Sequence, residues 1–225
     1  MNRLVLIGIS TILTLLALTE TSTFAATISQ DCEHGNGKAK TETRELARFD
    51  ELEVSGAFEI KVSAAQSSQT VRITADENIL PLIATDLEGN KLAIHPKKSI
   101  CTEMAIVVEI NVASLVSLVS SGSDNVKIEG LDTGKFSVTM SGSSDVELAG
   151  KTKSLEAGIS GAGNLNARNL KTEETGLNIS GSGSADVYAS EELKVEIVGV
   201  GEVNYYGNPK KIDRQIIGVG NLNPM

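Results

Sequence analysis

The 225-residue chain has no tryptophan, four phenylalanines and three tyrosines. Its core must therefore be built from Val, Ile, Leu and Ala, and a base-stacking or sugar-stacking surface is not expected. Positive charge is also in deficit: 20 Lys and Arg face 29 Asp and Glu, a net charge of −9. Polyanionic DNA or an anionic lipid surface would be repelled unless basic residues clustered along the chain, and no such cluster stands out, so nucleic-acid binding is set aside. Two His and two Cys, well separated, are too few for a His/Cys zinc centre. What is present is 40% hydrophobic and 22% charged, a globular composition of one ordinary domain or two small ones.

The N-terminus reads as an address. Arg3 supplies a positive start, Leu4 to Leu18 is apolar apart from Gly, Ser and Thr, and Thr23-Phe24-Ala25 places small residues at the −3 and −1 positions of a cleavage site. This pattern predicts a secretory signal, residues 1–25, removed after Ala25. The apolar run is shorter than the roughly 20 residues needed to span a bilayer, and no later segment is long and apolar enough to do so. The residues before Cys32, Thr-Ile-Ser-Gln-Asp, lack the pattern of a lipid-modified cysteine. The mature chain is thus expected in an oxidising compartment: periplasm, outer envelope or extracellular space. There Cys32 and Cys101 can pair, and closing a loop of that length contributes about 4 kcal/mol in the chain-entropy model; two free, buried thiols are the alternative.

Residues 26–43 are polar, Gly-containing and aperiodic, and read as a flexible leader. From Phe49 onward short alternating runs predict strands: Leu52 and Val54; Phe58, Ile60 and Val62; Val71 and Ile73; Met104 to Val112. One helix is predicted among them, Asn78 to Leu87, with Asn78 as cap, Pro81 in the first turn and Gly89-Asn90 beyond its end.

The second half repeats. Gly122, Gly142, Gly161, Gly181, Gly199 and Gly218 follow one another at steps of 20, 19, 20, 18 and 19 residues. After each comes a polar turn and an apolar pair two apart: Val126/Ile128, Val146/Leu148, Leu165/Ala167, Val187/Ala189, Val203/Tyr205, with Leu222 opening a sixth. Met140, Ile159, Ile179, Ile197 and Ile216 precede successive glycines. On this alignment the fourth turn carries two extra residues and reads as a bulge. A unit of 19–20 residues cannot bury its apolar face alone, whereas units stacked ~4.8 Å apart form continuous apolar columns. The chain is therefore predicted to be all-β, a parallel β-solenoid. Its six glycines serve as structural turn residues that allow positive φ where the coil changes direction. A propeller blade would need about 40–50 residues. The helix-containing N-terminal half and Asn223-Pro224 are expected to cap the two ends.

Phe49-Asp50-Glu51-Leu52-Glu53-Val54-Ser55-Gly56, Asp76-Glu77-Asn78-Ile79-Leu80, Gly89-Asn90-Lys91-Leu92, the repeated Ser-Gly-Ser-x-Asp-Val and Val203-Asn204-Tyr205-Tyr206-Gly207-Asn208-Pro209 together resemble the head GIN domain family of bacteria, which is named for auto-transporter adhesins. The resemblance covers about residues 44–225. It implies a right-handed parallel β-helix and an adhesin-like role, and it brings no set of catalytic residues. Nothing after Gly218 matches a membrane β-barrel.

The residues before the apolar pairs, Asn125, Asp145, Asn164, Asp186, Glu202 and Asn221, would stack into one polar column. Amides can ladder there, whereas stacked carboxylates repel unless solvated or bridged by a cation. Asp145, Asp186 and Glu202 are accordingly the candidate metal ligands, and calcium is the ion such oxygens would take; a solvated ladder is the alternative. No other cofactor is indicated. Gly158-Ile159-Ser160-Gly161-Ala162 does not match the nucleophile elbow. His34 lies in the leader and His95 at a strand end, so neither reads as a catalytic base. Tyr205 continues an apolar column and Tyr206 should point outward. The expected function is an exported, non-enzymatic adhesin-like module engaging a carbohydrate or protein at the cell envelope or surface. A structural or self-associating envelope module is the alternative, and a carbohydrate-active enzyme rests on fold analogy alone.

Overall fold

The computed structural model describes residues 31–225. The predicted signal at 1–25, and residues 26–30 of the predicted leader, lie outside the described residues. Among the described residues fifteen strands follow one another: β1 (Glu33–His34), β2 (Ala39–Arg44), β3 (Glu51–Val54), β4 (Phe58–Ser63), β5 (Thr70–Asp76), β6 (Ile83–Glu88), β7 (Lys91–Pro96), β8 (Ile100–Cys101), β9 (Ile106–Asn111), β10 (Ser117–Gly122), β11 (Asn125–Gly142), β12 (Asp145–Gly161), β13 (Asn164–Tyr188), β14 (Glu192–Tyr206) and β15 (Lys211–Pro224).

The long strands β11 to β15 bend around corners and pair in parallel, each with the coil before it. Gly122, Gly142, Gly161, Gly181, Gly199 and Gly218 fall in one register, coil upon coil. All six have positive φ, from +118° at Gly142 to +159° at Gly122. The column is tight as well as strained: a Cβ on Gly142 would lie 3.0 Å from the amide nitrogen of Gly122 and closer still to its carbonyl oxygen. Glycine thus serves twice at this corner, admitting the dihedral and letting backbones meet. The column starts one coil earlier than the repeat suggested, because Gly56 lies beneath Gly122.

Inside, the apolar positions stack as predicted from the alternation. One column runs Leu92, Leu52, Leu118, Val138, Ala157, Leu177 and Val195. All of these are buried, between 0% and 4% exposed, so each strand buries one face against the solenoid interior. The fourth coil departs from the sequence reading. It holds no extra residues: Ala185 and Val187 stack under Val203 and Tyr205, and Ala185, Val187 and Ala189 are all buried. The apolar pair is therefore Ala185/Val187, at the same distance from its glycine as in every other coil.

The predicted helix at Asn78–Leu87 is replaced by a 3-10 turn, Leu80–Leu82, with Pro81 in its first positions. From Ile83 the chain extends as β6 and pairs antiparallel with β7 through the Gly89-Asn90 turn. Hairpin pairing overrides the local helical signal here, since Ile83 and Ala84 gain burial as a strand.

Residues 31–43, expected to be flexible, form a strap over this end. β2 pairs antiparallel with β5, β1 pairs with β8, and Cys32 is disulfide-bonded to Cys101 with Cα atoms 5.6 Å apart. Asp76, 1% exposed, accepts hydrogen bonds from the Gly37 amide and the Thr102 hydroxyl. Asn36 donates to Glu77 at 3.0 Å, and Asn78 donates to the His34 carbonyl at 2.8 Å. Polar composition hid this pairing, because the strap contributes hydrogen bonds and a covalent link instead of core side chains.

Candidate functional site

Three groups of polar residues emerge from the stacking. The first is the predicted column beside the glycines. Asn125, Asp145 and Asn164 are in register, and Asn164 donates to Asp145 at 2.7 Å. The next rung is Ser184, whose hydroxyl donates to Asn164 at 2.6 Å; above it come Glu202 and Asn221. Asp186 is not a member. It sits two residues on, in register with Asn204 and Asn223, where Asn204 donates to Asp186 at 2.9 Å and Asn223 to Asn204 at 3.2 Å. The carboxylates of Asp145 and Glu202 are three coils apart, and Asp186 belongs to the neighbouring ladder. No cluster of three or more His, Cys, Asp or Glu side chains that could hold a metal occurs among the described residues.

The second group is buried. Ser120 (0%), Ser144 (1%) and Asp124 (2%) lie under the glycine corner. The Asp124 carboxylate accepts the Phe58 amide at 3.1 Å and the Ser120 hydroxyl at 3.0 Å, and the Ser120 and Ser144 hydroxyls are 2.8 Å apart. Burial raises the Asp124 carboxyl above the usual carboxylate range, against the lowering effect of those two hydrogen bonds. This knot joins three successive coils, and its bonds are satisfied within the protein, which is the arrangement of a structural tie. His34 is exposed, and His95 meets Asp86 at 2.9 Å across the β6–β7 hairpin on a surface-exposed pair.

The third group was not singled out from the sequence. At the corner where β11, β12 and β13 turn after their apolar pairs, a groove of 610 Å³ is lined by Asp132, Gly134, Lys151, Lys153, Lys171 and Tyr188, among others. Asp132, Lys151 and Lys171 are stacked in register. Lys151 is paired to Asp132 at 3.1 Å, and the Lys171 ammonium lies 3.9 Å from the centroid of the Tyr188 ring. Tyr188 is fixed from behind, since the Thr172 and Thr175 hydroxyls both donate to its carbonyl. The signal was available: Lys151 and Lys171 are separated by 20 residues, one coil.

The family model described as "Putative auto-transporter adhesin, head GIN domain" matches residues 48–209. The chain belongs to the head GIN domain family. Solved structures share the head GIN fold at low identity. A "putative adhesin" from Bacteroides fragilis is 21% identical, with a TM-score of 0.69 over 85% of this chain and 99% of that one. A "putative lipid binding protein" from Parabacteroides distasonis is 24% identical, with a TM-score of 0.56 over 85% and 98%. A "putative adhesin" from Parabacteroides merdae is 20% identical, with a TM-score of 0.55 over 85% and 98%. At these identities the likeness carries the fold. No curated protein matches the chain. No helix among the described residues is long and apolar enough to cross a membrane.

Proposed function

We propose that this head GIN protein is an exported, non-enzymatic adhesin-like module of the bacterial cell envelope or surface, binding a carbohydrate or protein. The observation that carries the reading is the pre-ordered polar surface: Asp145, Asn164 and Ser184, and beside them Asp186, Asn204 and Asn223, are bonded rung to rung. Side chains already fixed by neighbours lose little rotamer freedom when a ligand arrives, so a flat polar face of this kind binds at reduced entropic cost. The family name supports the same reading.

The test is to express the whole chain with its own leader in a bacterial host and recover the exported form. Mass spectrometry is expected to find Ala26 as its first residue. The recovered protein is then applied to an array of glycans and extracellular-matrix proteins, with and without a chelator. Specific, saturable binding is expected, and it should be indifferent to chelation because Asp145, Asp186 and Glu202 do not converge. Absence of binding to every arrayed molecule would overturn the adhesin reading.

One observation favours a second reading, a self-assembling envelope module. Val198 (42%), Val200 (56%), Ile217 (55%) and Val219 (72%) form an exposed apolar patch on the last two coils, and no strand among the described residues pairs with the outer edge of β15. A molecular mass that rises with protein concentration in light scattering would favour that alternative.

A further inference from the structure

We infer that the groove between Lys151, Lys153, Lys171 and Tyr188 is a binding site for an acidic saccharide, of which a polyuronate is the simplest case. The inference rests on the adhesin-like reading and names a ligand class and a site for it.

This groove gathers two lysines that have no ion pair among the described residues, whereas Lys135 and Lys194, likewise without one, are not part of its lining. Lys127, Lys210 and Lys211 each hold a carboxylate, from Glu129, Glu191 and Glu192, at 2.6–2.8 Å. Lys153 and Lys171 have no carboxylate within ion-pairing distance among the described residues, although the chain has nine more acidic than basic residues (29 − 20). Three ammonium groups against the two carboxylates of Asp132 and Glu173 leave this groove with a local positive excess on an acidic protein. Lys151 and Lys171 stand in register on adjacent coils, so their backbones are ~4.8 Å apart, and the pair presents a repeat to a repeating ligand.

The remaining lining selects among anions. Asp132 and Glu173 also border the groove, and their oxygens only accept hydrogen bonds. A free inorganic anion offers mainly acceptors and charge, which would meet Asp132 and Glu173 unfavourably. A uronate carries both kinds of group: its carboxylate faces the lysines while its hydroxyls donate to the two acids. Tyr188 adds shape more than stacking area, because Lys171 already covers one ring face. Recognition by charge instead of ring stacking agrees with a chain so poor in aromatic residues.

The experiment is calorimetric titration of the exported protein with tetragalacturonate at low ionic strength, against neutral cellotetraose and inorganic phosphate. Saturable binding of tetragalacturonate, with neither of the others bound, is expected. It should weaken as salt is added. The double variant Lys153→Gln/Lys171→Gln should bind about tenfold more weakly, the effect of losing two exposed charge contacts. The double variant Lys210→Gln/Lys211→Gln, which removes the same charge away from the groove, should bind as the parent does. Circular dichroism melts establish that both variants are folded. Absence of tetragalacturonate binding, equal binding of cellotetraose, or equal losses in the two double variants would each overturn the assignment. If the array shows binding to other molecules that survives Lys153→Gln/Lys171→Gln, the groove is excluded while the adhesin reading stands; if the array is blank, both fail.

Discussion

The two ends of the solenoid are finished in different ways. At the N-terminal end the sheet terminates in β2 and β6, both antiparallel to their neighbours. They carry Lys40, Glu42, Arg44, Asp86 and Glu88, and the disulfide strap lies over the same end. At the C-terminal end β15 is parallel to β14, with none of its residues buried, and from Gln215 to Met225 it has no charged side chain. Its charges are confined to the start of the strand, Lys211, Asp213 and Arg214; Arg214 occupies the place in the stack that Val195 and Leu177 fill below, and Pro224 withholds one donor. A solenoid grows by identical steps, so nothing within a coil tells the chain where to stop. The information sits at the ends, and here one end holds nearly all of it.

That contrast can be broken most severely through the glycine column. Gly142→Val, in the middle of the stack, is expected to cost about 4 kcal/mol or more, since it combines a positive φ with overlap on the Gly122 backbone in a coil that has neighbours above and below. Gly218→Val meets the same overlap with Gly199 but touches only the last coil, so fraying of β15 should absorb it. Thermal melts should therefore show collapse for the first and a small shift for the second. Equal melting temperatures would sink the coil-by-coil account.

Cys32→Ser/Cys101→Ser should lower stability by roughly 2–4 kcal/mol, less than the loop-closure limit where the β2–β5 pairing keeps the strap in place. Hydrogen exchange would then be expected to rise in residues 32–44 and stay unchanged in β13 and β14. Faster exchange throughout would show that the cap holds the entire stack.

A smaller effect is expected at Asp124. Its raised carboxyl means that folding favours the protonated form, so its contribution is most favourable at low pH and is lost as pH rises through that raised value. Asp124→Asn, uncharged throughout, should gain stability relative to the parent as pH rises across that range, with the difference followed by denaturant unfolding. A gap that does not change with pH would contradict the burial argument. Smallest of all, Ile217→Lys/Val219→Lys should alter stability by about 0.5 kcal/mol or less, while abolishing any concentration-dependent association measured by light scattering.

The solenoid was legible because glycine spacing and alternation report one constraint twice: where the coil bends, and which face it buries. In the fourth coil Ala185/Val187 and Val187/Ala189 are one Ala and one Val each, so apolarity alone does not choose between the two registers. The fixed offset from glycine, four and six residues on, places Ala185/Val187 correctly, and with it moves Asp186 out of the column. The helix expected at Asn78–Leu87 failed because the competing partner, β7, lies beyond a turn that local signals read as a stop. The groove could not be read from motifs, since Lys153, Lys171 and Tyr188 meet only through stacking; searching charged residues at the coil period would have found two of its members.

The glycine column also has a consequence for ancestry. Each coil offers its neighbours the same corner above and below, so a duplication or loss of one unit changes the molecule's length by a single sheet spacing of ~4.8 Å and leaves every other contact type intact. Relatives are then expected to differ in whole coils more readily than in the strap or the β6–β7 hairpin. The length of the stack becomes a quantity that selection can adjust in discrete steps without redesigning a core.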